Sequence, residues 1–158
     1  MGDGFDVHPS LWREQSDIVF DKEATNAFYQ TGLLQHIKEN DMQHLVIAGC
    51  KTEHCIDTAV RTATVNGLDV TLVGDAHSTS NTKYLAAQQI IDHHNHALHG
   101  HYNVDHFSIV RETQEEVFFT NSPYVSIKGR RENDHKRTVV SRHMHASLGK
   151  SALSNEIR

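Results

Sequence analysis

Residues 44–58, HLVIAGCKTEHCIDT, contain the change from strand to helix on which the predicted fold depends. Residues 45–48 form a short apolar run with β-branched side chains, which is typical of a buried strand in a parallel sheet. Gly49 ends this run, and the positions after it that recur at helical spacing are Ile56, Val60 and Ala63. A helix is therefore expected to begin near residues 53–55.

Cys55 lies where this predicted helix begins. At a helix N-terminus, free backbone N–H groups and the helix dipole favour negative charge, so a thiolate forms more easily there. The same N–H groups can stabilise a developing oxyanion. The residues alone leave two interpretations open, a reactive nucleophile and an inert buried cysteine, because cysteine is among the most buried residue types.

Strands and helices alternate along the rest of the chain. The patterns predict strands at 17–21, 44–49, 68–74 and 107–111, and helices at 24–40, at 55–66, at 113–119 and, after capping residues at 78–81, up to residue 98. Such alternation is typical of an α/β domain with a parallel sheet between helical layers. The C-terminal ends of the strands would gather Lys22, Cys55 and Asp75 at the sheet edge where ligands bind. Asp75 is expected to stabilise the turn before the next helix.

The composition restricts the class of protein. The chain has 158 residues, which is enough for one domain with a core. A net charge of −5 argues against a general nucleic-acid surface, and no apolar run approaches the length of a membrane helix, about 20 residues. The two cysteines do not suggest a disulfide framework, so a reducing, cytoplasmic setting is expected. The hydrophobic content of 37% is low for a compact α/β domain, so part of the chain is expected to be unpacked.

The run GCKTEHC at 49–55 is followed by Asp57, Thr58 and Arg61. This segment resembles the nucleophile motif of the isochorismatase-like cysteine hydrolases, a superfamily that includes nicotinamidases, carbamoyl amidases and isochorismatases. DIVFDK at 17–22 resembles the family segment that carries a catalytic lysine, and GLDVTLVGDAH at 67–77 resembles the next strand and turn. The likeness extends over roughly residues 4–115. It implies a three-layer α/β/α, Rossmann-like fold.

The resemblance implies roles for four residues near this motif. Cys55 would be the nucleophile, and Lys22 would favour its thiolate form and orient an acid–base carboxylate. The backbone N–H groups of Lys51 and Cys55 would hold the oxyanion. A non-proline cis peptide bond would join Cys50 to Lys51, and the Cys50 side chain itself is interpreted as structural.

Three further residues of the motif surround Cys55. Glu53 and His54 are candidates for the pocket, although a partly exposed position without catalytic duty is the simpler interpretation of His54. Thr52 is interpreted as a local cap of the backbone.

The resemblance also implies a catalytic aspartate at the end of a buried strand upstream of Lys22. Only Asp3 and Asp6 precede Lys22 by any distance, and neither follows an apolar run. We therefore expect the first strand and helix of the domain, and its second strand, to be absent. Asp6 as the base is the less favoured alternative, because proton transfer needs fixed geometry. The expected division is an incomplete hydrolase domain at 1–120 and a polar, mostly disordered tail at 121–158.

The function that the resemblance implies is hydrolysis of an amide-type C–N bond in a small molecule, through a thioester on Cys55. Two alternatives stay open: an impaired family remnant with an oligomerisation or regulatory role, and isochorismatase-type hydrolysis of an ether. A homo-oligomer is expected, with neither nucleic acid nor membrane as a partner. No cofactor is expected, because His96 and His99 have a spacing that suits a metal but lack a third ligand, and are interpreted as solvated or lid-forming.

Overall fold

In this computed structural model, residues 10–118 and 138–140 are described, and they contain a five-stranded sheet. The strands are β1 (His44–Cys50), β2 (Asp69–Ser78), β3 (His101–Asn103), β4 (His106–Arg111) and β5 (Thr138–Val140). The helices are α1 (Leu33–Glu39), α2 (Asp57–Val65) and α3 (Ala87–Leu98). A single π-helical turn, Thr52–Ile56, runs directly into α2, and we call it the Cys55 turn.

The sheet has the strand order β3-β4-β2-β1-β5. β1 is parallel to both β2 and β5, and β2 is parallel to β4, whereas β3 forms an antiparallel hairpin with β4. The predicted α/β class with a largely parallel sheet is therefore confirmed. The crossover helices α2 and α3 connect parallel neighbours, as a parallel sheet requires.

β1 is the strand that the apolar run predicts. Leu45 and Ile47 are 0% and 1% exposed, and they lie opposite Val70 and Leu72 of β2. Helix α2 covers this region with Ala59, Val60 and Ala63, all of them buried. Small alanine side chains let the helix backbone approach the strands closely. Burial from both sides explains why this stretch reads as a continuous apolar run.

Truncation of the β1 core tests this packing. The substitution Ile47→Ala is expected to lower the free energy of unfolding by about 2–5 kcal/mol, because it leaves a cavity at a side chain that is 1% exposed. Val65→Ala, at a position 69% exposed on α2, is the matched control and should change that free energy by less than about 0.5 kcal/mol. Urea unfolding followed by circular dichroism measures both. Equal effects of the two substitutions would contradict the assigned core.

The pairing of β1 with β2 shifts register near the C-terminal ends of the two strands. Ile47 lies opposite Leu72, whereas Gly49 lies opposite His77, so β2 contributes extra residues in between. Gly49 has a φ of 128°, which side-chain-bearing residues rarely adopt. The shift places His77 beside the start of the Cys55 turn.

The predicted strand at 17–21 is wrong. Ile18 and Val19 are 58% and 52% exposed, and this segment has no strand assignment. Both edges of β1 are already paired, one with β2 and the other with β5, so no position beside β1 is left for another strand. Phe20 alone packs against the core, with its ring 5.9 Å from that of His36.

The predicted helix at 24–40 forms only in its second half, from Leu33. Side chains in the first half bond to nearby backbone groups instead: Asn26 Oδ1 accepts from the Phe28 N–H at 2.9 Å, and Thr31 Oγ1 accepts from the Leu33 N–H. Such local bonds compete with the helical pattern. Gln30 has a φ of 52°, which also interrupts a right-handed helix.

Helix α3 ends where predicted but begins later, at Ala87. The Thr82 hydroxyl accepts from the Leu85 N–H, and Asn81 Oδ1 accepts from the Ala87 N–H, so these residues form a separate turn before the helix. Within the described residues, no helix combines the length and the apolar character needed to cross a membrane.

The predicted helix at 113–119 is replaced by a turn over its described part, residues 113–118. The Asp75 carboxylate accepts from the Thr113 N–H at 2.8 Å and from the Thr113 hydroxyl at 2.6 Å. These hydrogen bonds, chiefly the one from the hydroxyl, lower the pKa of Asp75. Asp75 therefore does stabilise a turn, but it is the turn after β4 and not the one before α3.

Strand β5 comes from the segment expected to be a tail. Thr138, Val139 and Val140 lie opposite Leu45, Val46 and Ile47 of β1. The remainder of 121–158 lies outside the described residues. Pairing with β5 satisfies backbone groups of β1 that would otherwise form an open sheet edge.

Candidate active site

The Cys55 turn follows β1 directly. Lys51 connects the two through a cis peptide bond between Cys50 and Lys51, as the resemblance implied. The Lys51 carbonyl accepts from the N–H groups of His54 at 3.2 Å and Ile56 at 3.1 Å, and neither bond uses the N–H of Cys55. Cys55 is 5% exposed, whereas the His54 side chain is 61% exposed. The turn therefore points Cys55 inward and His54 outward.

Lys22 lies against Cys55, although 33 residues separate them in the chain. Its Nζ is 3.5 Å from Cys55 Sγ and donates to the Ala24 carbonyl at 2.8 Å. The carbonyl fixes the end of the lysine side chain, so the ammonium group is held beside the sulfur. The structure thus brings together the two residues named as nucleophile and lysine.

Glu53 lies at the outer side of the Cys55 turn. Its Oε1 is 3.9 Å from Lys51 Nζ and 3.7 Å from His54 Nε2. Partial burial would raise the pKa of Glu53, but the Thr79 hydroxyl, the backbone and the two cationic neighbours outweigh it and lower that pKa. The contact between Thr79 Oγ1 and Glu53 Oε2 does not have the geometry of a standard hydrogen bond. Glu53 is therefore ionised at neutral pH.

A buried chain of hydrogen bonds joins the Cys55 turn to β2 and α3. Thr52 Oγ1 is 2.9 Å from His77 Nδ1, and His77 Nε2 is 2.8 Å from Asn95 Oδ1. Asn95 Nδ2 in turn donates to the Gly74 carbonyl at 3.1 Å. Thr52 and His77 are 0% and 5% exposed. Thr52 was interpreted as a local backbone cap, and the structure corrects this, because its hydroxyl reaches a residue 25 positions away.

These contacts fix the protonation of His77. The Gly74 carbonyl can only accept, so the Asn95 amide nitrogen faces Gly74 and the amide oxygen faces His77. His77 Nε2 must then carry the proton, and Nδ1 accepts from the Thr52 hydroxyl. Burial lowers the pKa of His77, which the hydrogen bond to Asn95 offsets only in part. The imidazole is therefore neutral at pH 7.

The sequence patterns did not single out His77 and Asn95. His77 is a polar residue near the C-terminal end of a buried strand beside β1, the same position that drew attention to Asp75. The register shift between β1 and β2, which turns His77 toward Thr52, has no signal in the sequence. Asn95 lies among the histidines of α3, and only His96 and His99 of that segment were considered from the sequence.

The buried imidazole predicts a pH dependence of stability. An unfolded histidine has a pKa of about 6.5, whereas that of native His77 is lower. Between these two values the unfolded chain binds more protons, so the free energy of unfolding falls as pH decreases through about 6.5. We expect Tm to fall more between pH 7 and pH 5 for the wild type than for His77→Gln. Equal slopes in calorimetry would show that His77 is not buried in its neutral form. His101, whose pKa is lowered by burial and by Arg61, contributes equally to both proteins.

The histidines of α3 do not form a metal site in the described residues. No group of three or more His, Cys, Asp or Glu side chains suited to a metal ion occurs there. His94 Nδ1 is 2.7 Å from the Ile90 carbonyl, and His99 Nδ1 accepts from the Val110 N–H. These side chains stabilise the helix and its packing against β4.

Comparison with known proteins shows the family of this chain. A protein-family model, the isochorismatase domain, matches residues 2–101. The chain belongs to the isochorismatase family. The match includes the Cys55 turn and Lys22, and it confirms the resemblance drawn from the motif around Cys55.

Several family members are similar to this chain. YddQ, an uncharacterized isochorismatase family protein of Bacillus subtilis strain 168, is 31% identical over 78 residues, or 49% of this chain and 43% of YddQ. A second such protein of that strain, YrdC, is 28% identical over 74 residues, or 47% of this chain and 40% of YrdC. The chain therefore spans less than half the length of these two relatives.

Solved structures of isochorismatases share the fold. The crystal structure of an isochorismatase family protein has a TM-score of 0.59 and 34% identity, and the similarity covers 65% of this chain and 58% of that one. An isochorismatase from Pseudomonas putida KT2440 has a TM-score of 0.57 and 29% identity, with 66% and 53% covered. These similarities confirm the α/β architecture of the family for this chain.

Proposed function

We propose that this isochorismatase-family chain is a cysteine hydrolase that cleaves an amide-type C–N bond of a small molecule. The observation that supports it is the contact between Lys22 Nζ and Cys55 Sγ, 3.5 Å apart, at a helical turn after a buried strand. A surface lysine and an inert core cysteine would not be expected to lie in contact at this position. The Ala24 carbonyl holds the ammonium there at 2.8 Å, so the pair is fixed.

In the proposed reaction, the Cys55 thiolate attacks the carbonyl carbon and forms a C–S bond. The carbonyl π electrons move to oxygen, and the N–H groups of Lys51 and Cys55 are the proposed donors to this oxyanion. When the carbonyl re-forms, the C–N bond breaks and the nitrogen leaves as an amine after it takes up a proton from solvent, which replaces the proton that the Cys55 thiol lost to form the thiolate. Water then cleaves the thioester to a carboxylic acid and restores the thiol.

The remaining residues of the motif have supporting positions in this proposal. Glu53 is ionised and pairs with Lys51 and His54, and we propose it as one side of the substrate pocket. The His54 side chain is 61% exposed and takes no part in the proposed chemical steps. Cys50 is proposed to have a structural role only.

Release of ammonia from a panel of small primary carboxamides tests this function. The purified full chain is expected to release ammonia from at least one amide, with one carboxylic acid formed for each ammonia. Hydrolysis of an ether substrate without any release of ammonia would overturn the proposal in favour of isochorismatase-type chemistry. Absence of turnover together with an unreactive Cys55 would overturn it in favour of an inactive family member.

A further inference from the structure

We propose that Thr52 and His77 are positioning residues that fix the Cys55 turn for reaction. The buried chain of hydrogen bonds from Gly74 through Asn95 and His77 to Thr52 holds the first residue of that turn against β2 and α3. The inference rests on the proposed function, because it concerns the same nucleophile. It adds residues that the motif around Cys55 does not contain.

Thr52 is well placed for this role. It is the first residue of the Cys55 turn and is 0% exposed. It directly follows Lys51, whose carbonyl accepts from His54 and Ile56, so a rotation at Thr52 would move the whole turn. A hydroxyl held at 2.9 Å by a buried imidazole prevents that rotation.

The His77 ring is fixed by burial and by hydrogen bonds, as Thr52 is. Its ring is 5% exposed, and both ring nitrogens are occupied, one by Thr52 and the other by Asn95. The Asn95 amide is fixed by the Gly74 carbonyl, and a Cβ at Gly74 would lie 2.8 Å from Val110 and 3.3 Å from that amide nitrogen. The chain of bonds thus ends at a closely packed part of the sheet. A satisfied buried polar network of this kind makes one geometry strongly preferred.

The hydrogen bonds of His77 differ from those of the histidine in a catalytic dyad, because neither of its ring nitrogens bonds to the nucleophile. The Thr52 hydroxyl donates to His77 Nδ1, so the imidazole faces Thr52 and Asn95 with its two nitrogens and has none left for the Cys55 sulfur. His77 therefore acts through the backbone of the turn and does not take the thiol proton. Its effect should appear in the reactivity of Cys55 and not only in stability.

The test is the rate of Cys55 alkylation by iodoacetamide in the full chain at pH 6.5, mapped by peptide mass spectrometry. Thr52→Val keeps the buried volume but removes the hydroxyl that His77 holds. We expect a three- to tenfold slower alkylation of Cys55, about the population change that loss of one buried hydrogen bond produces. The rate at Cys50, measured in the same sample, should stay constant.

Two variants separate positioning from a general loss of stability. Thr52→Ser retains the hydroxyl and should restore the wild-type rate. Thr64→Val removes the hydroxyl of another buried threonine, which is 1% exposed and donates to the Arg61 carbonyl in α2. It should leave Cys55 alkylation unchanged even if Tm falls.

The outcomes distinguish the two proposals. If wild-type Cys55 reacts no faster than Cys50 at pH 6.5, the proposed function fails and this inference fails with it. If wild-type Cys55 reacts faster than Cys50 and the Cys55 rate in Thr52→Val equals the wild-type rate, only the positioning role is overturned. Equal slowing by Thr52→Val and Thr64→Val also overturns it, because the effect would then reflect general loosening of the fold.

Discussion

The variant Cys55→Ala will lose all acyl transfer, with a fall in turnover on the order of 10⁶-fold, as for loss of a hydrolase nucleophile. The reason is chemical: without the sulfur no thioester forms, and the remaining N–H donors have no bound intermediate to stabilise. p-Nitrophenyl acetate, an activated ester, measures this directly. Wild-type protein should release p-nitrophenolate and carry one acetyl group on the peptide that contains Cys55.

Val65→Ala, at an exposed position of α2, is the matched alanine control for that experiment and should retain the acetyl adduct. Cys55→Ser keeps the shape of the side chain and shows whether a folded turn without the thiol still forms the acetyl adduct. An acetyl adduct or p-nitrophenolate burst that persists in Cys55→Ala would remove Cys55 from the mechanism.

The second large effect is expected for Lys22→Met, which keeps the length of the side chain and removes its charge. Lys22 Nζ lies 3.5 Å from Cys55 Sγ, so this variant removes the positive charge beside the sulfur that attacks iodoacetamide. Alkylation of Cys55 at pH 6.5 should therefore slow by at least about tenfold. Stopped iodoacetamide reactions, sampled over time by mass spectrometry, provide the rate.

Two lysine variants are the controls. Lys38→Met removes an exposed lysine in the last turn of α1 and should leave the alkylation rate unchanged. Lys22→Arg keeps the positive charge and should preserve part of the rate. Identical rates for Lys22→Met and the wild type would show that the lysine is only a neighbour of the sulfur.

The central strand and the Cys55 turn could be predicted because their signals are local. Leu45 and Ile47 on one face of the sheet and Val46 on the other are all buried, so all three had to be apolar, and Gly49 marks the end of the run. The motif around Cys55 indicated the family, and the resemblance of residues 17–22 to a second family segment located Lys22. Lys22 reaches Cys55 although the strand predicted before it does not form, because Phe20 and the Ala24 carbonyl fix the segment without a strand.

The sequence-based predictions that were wrong share a physical cause, which is competition between segments distant in the chain. The run at 17–21 is apolar enough for a strand, but β5 occupies the remaining edge of β1, and no sequence pattern indicated that pairing. The contact of Thr52 with His77 depends on the register shift between β1 and β2. Such features arise from tertiary packing, which overrides local preference.

The account has its most direct test in the pH dependence of alkylation at the two cysteines of the wild-type chain. Purified protein is labelled with iodoacetamide from pH 5 to pH 9, and the label is mapped by mass spectrometry. We predict that Cys55, whose sulfur lies 3.5 Å from Lys22 Nζ, is labelled at pH 6, whereas Cys50 stays unlabelled there. Equal labelling of both thiols across the whole range would contradict an assembled Lys22–Cys55 site.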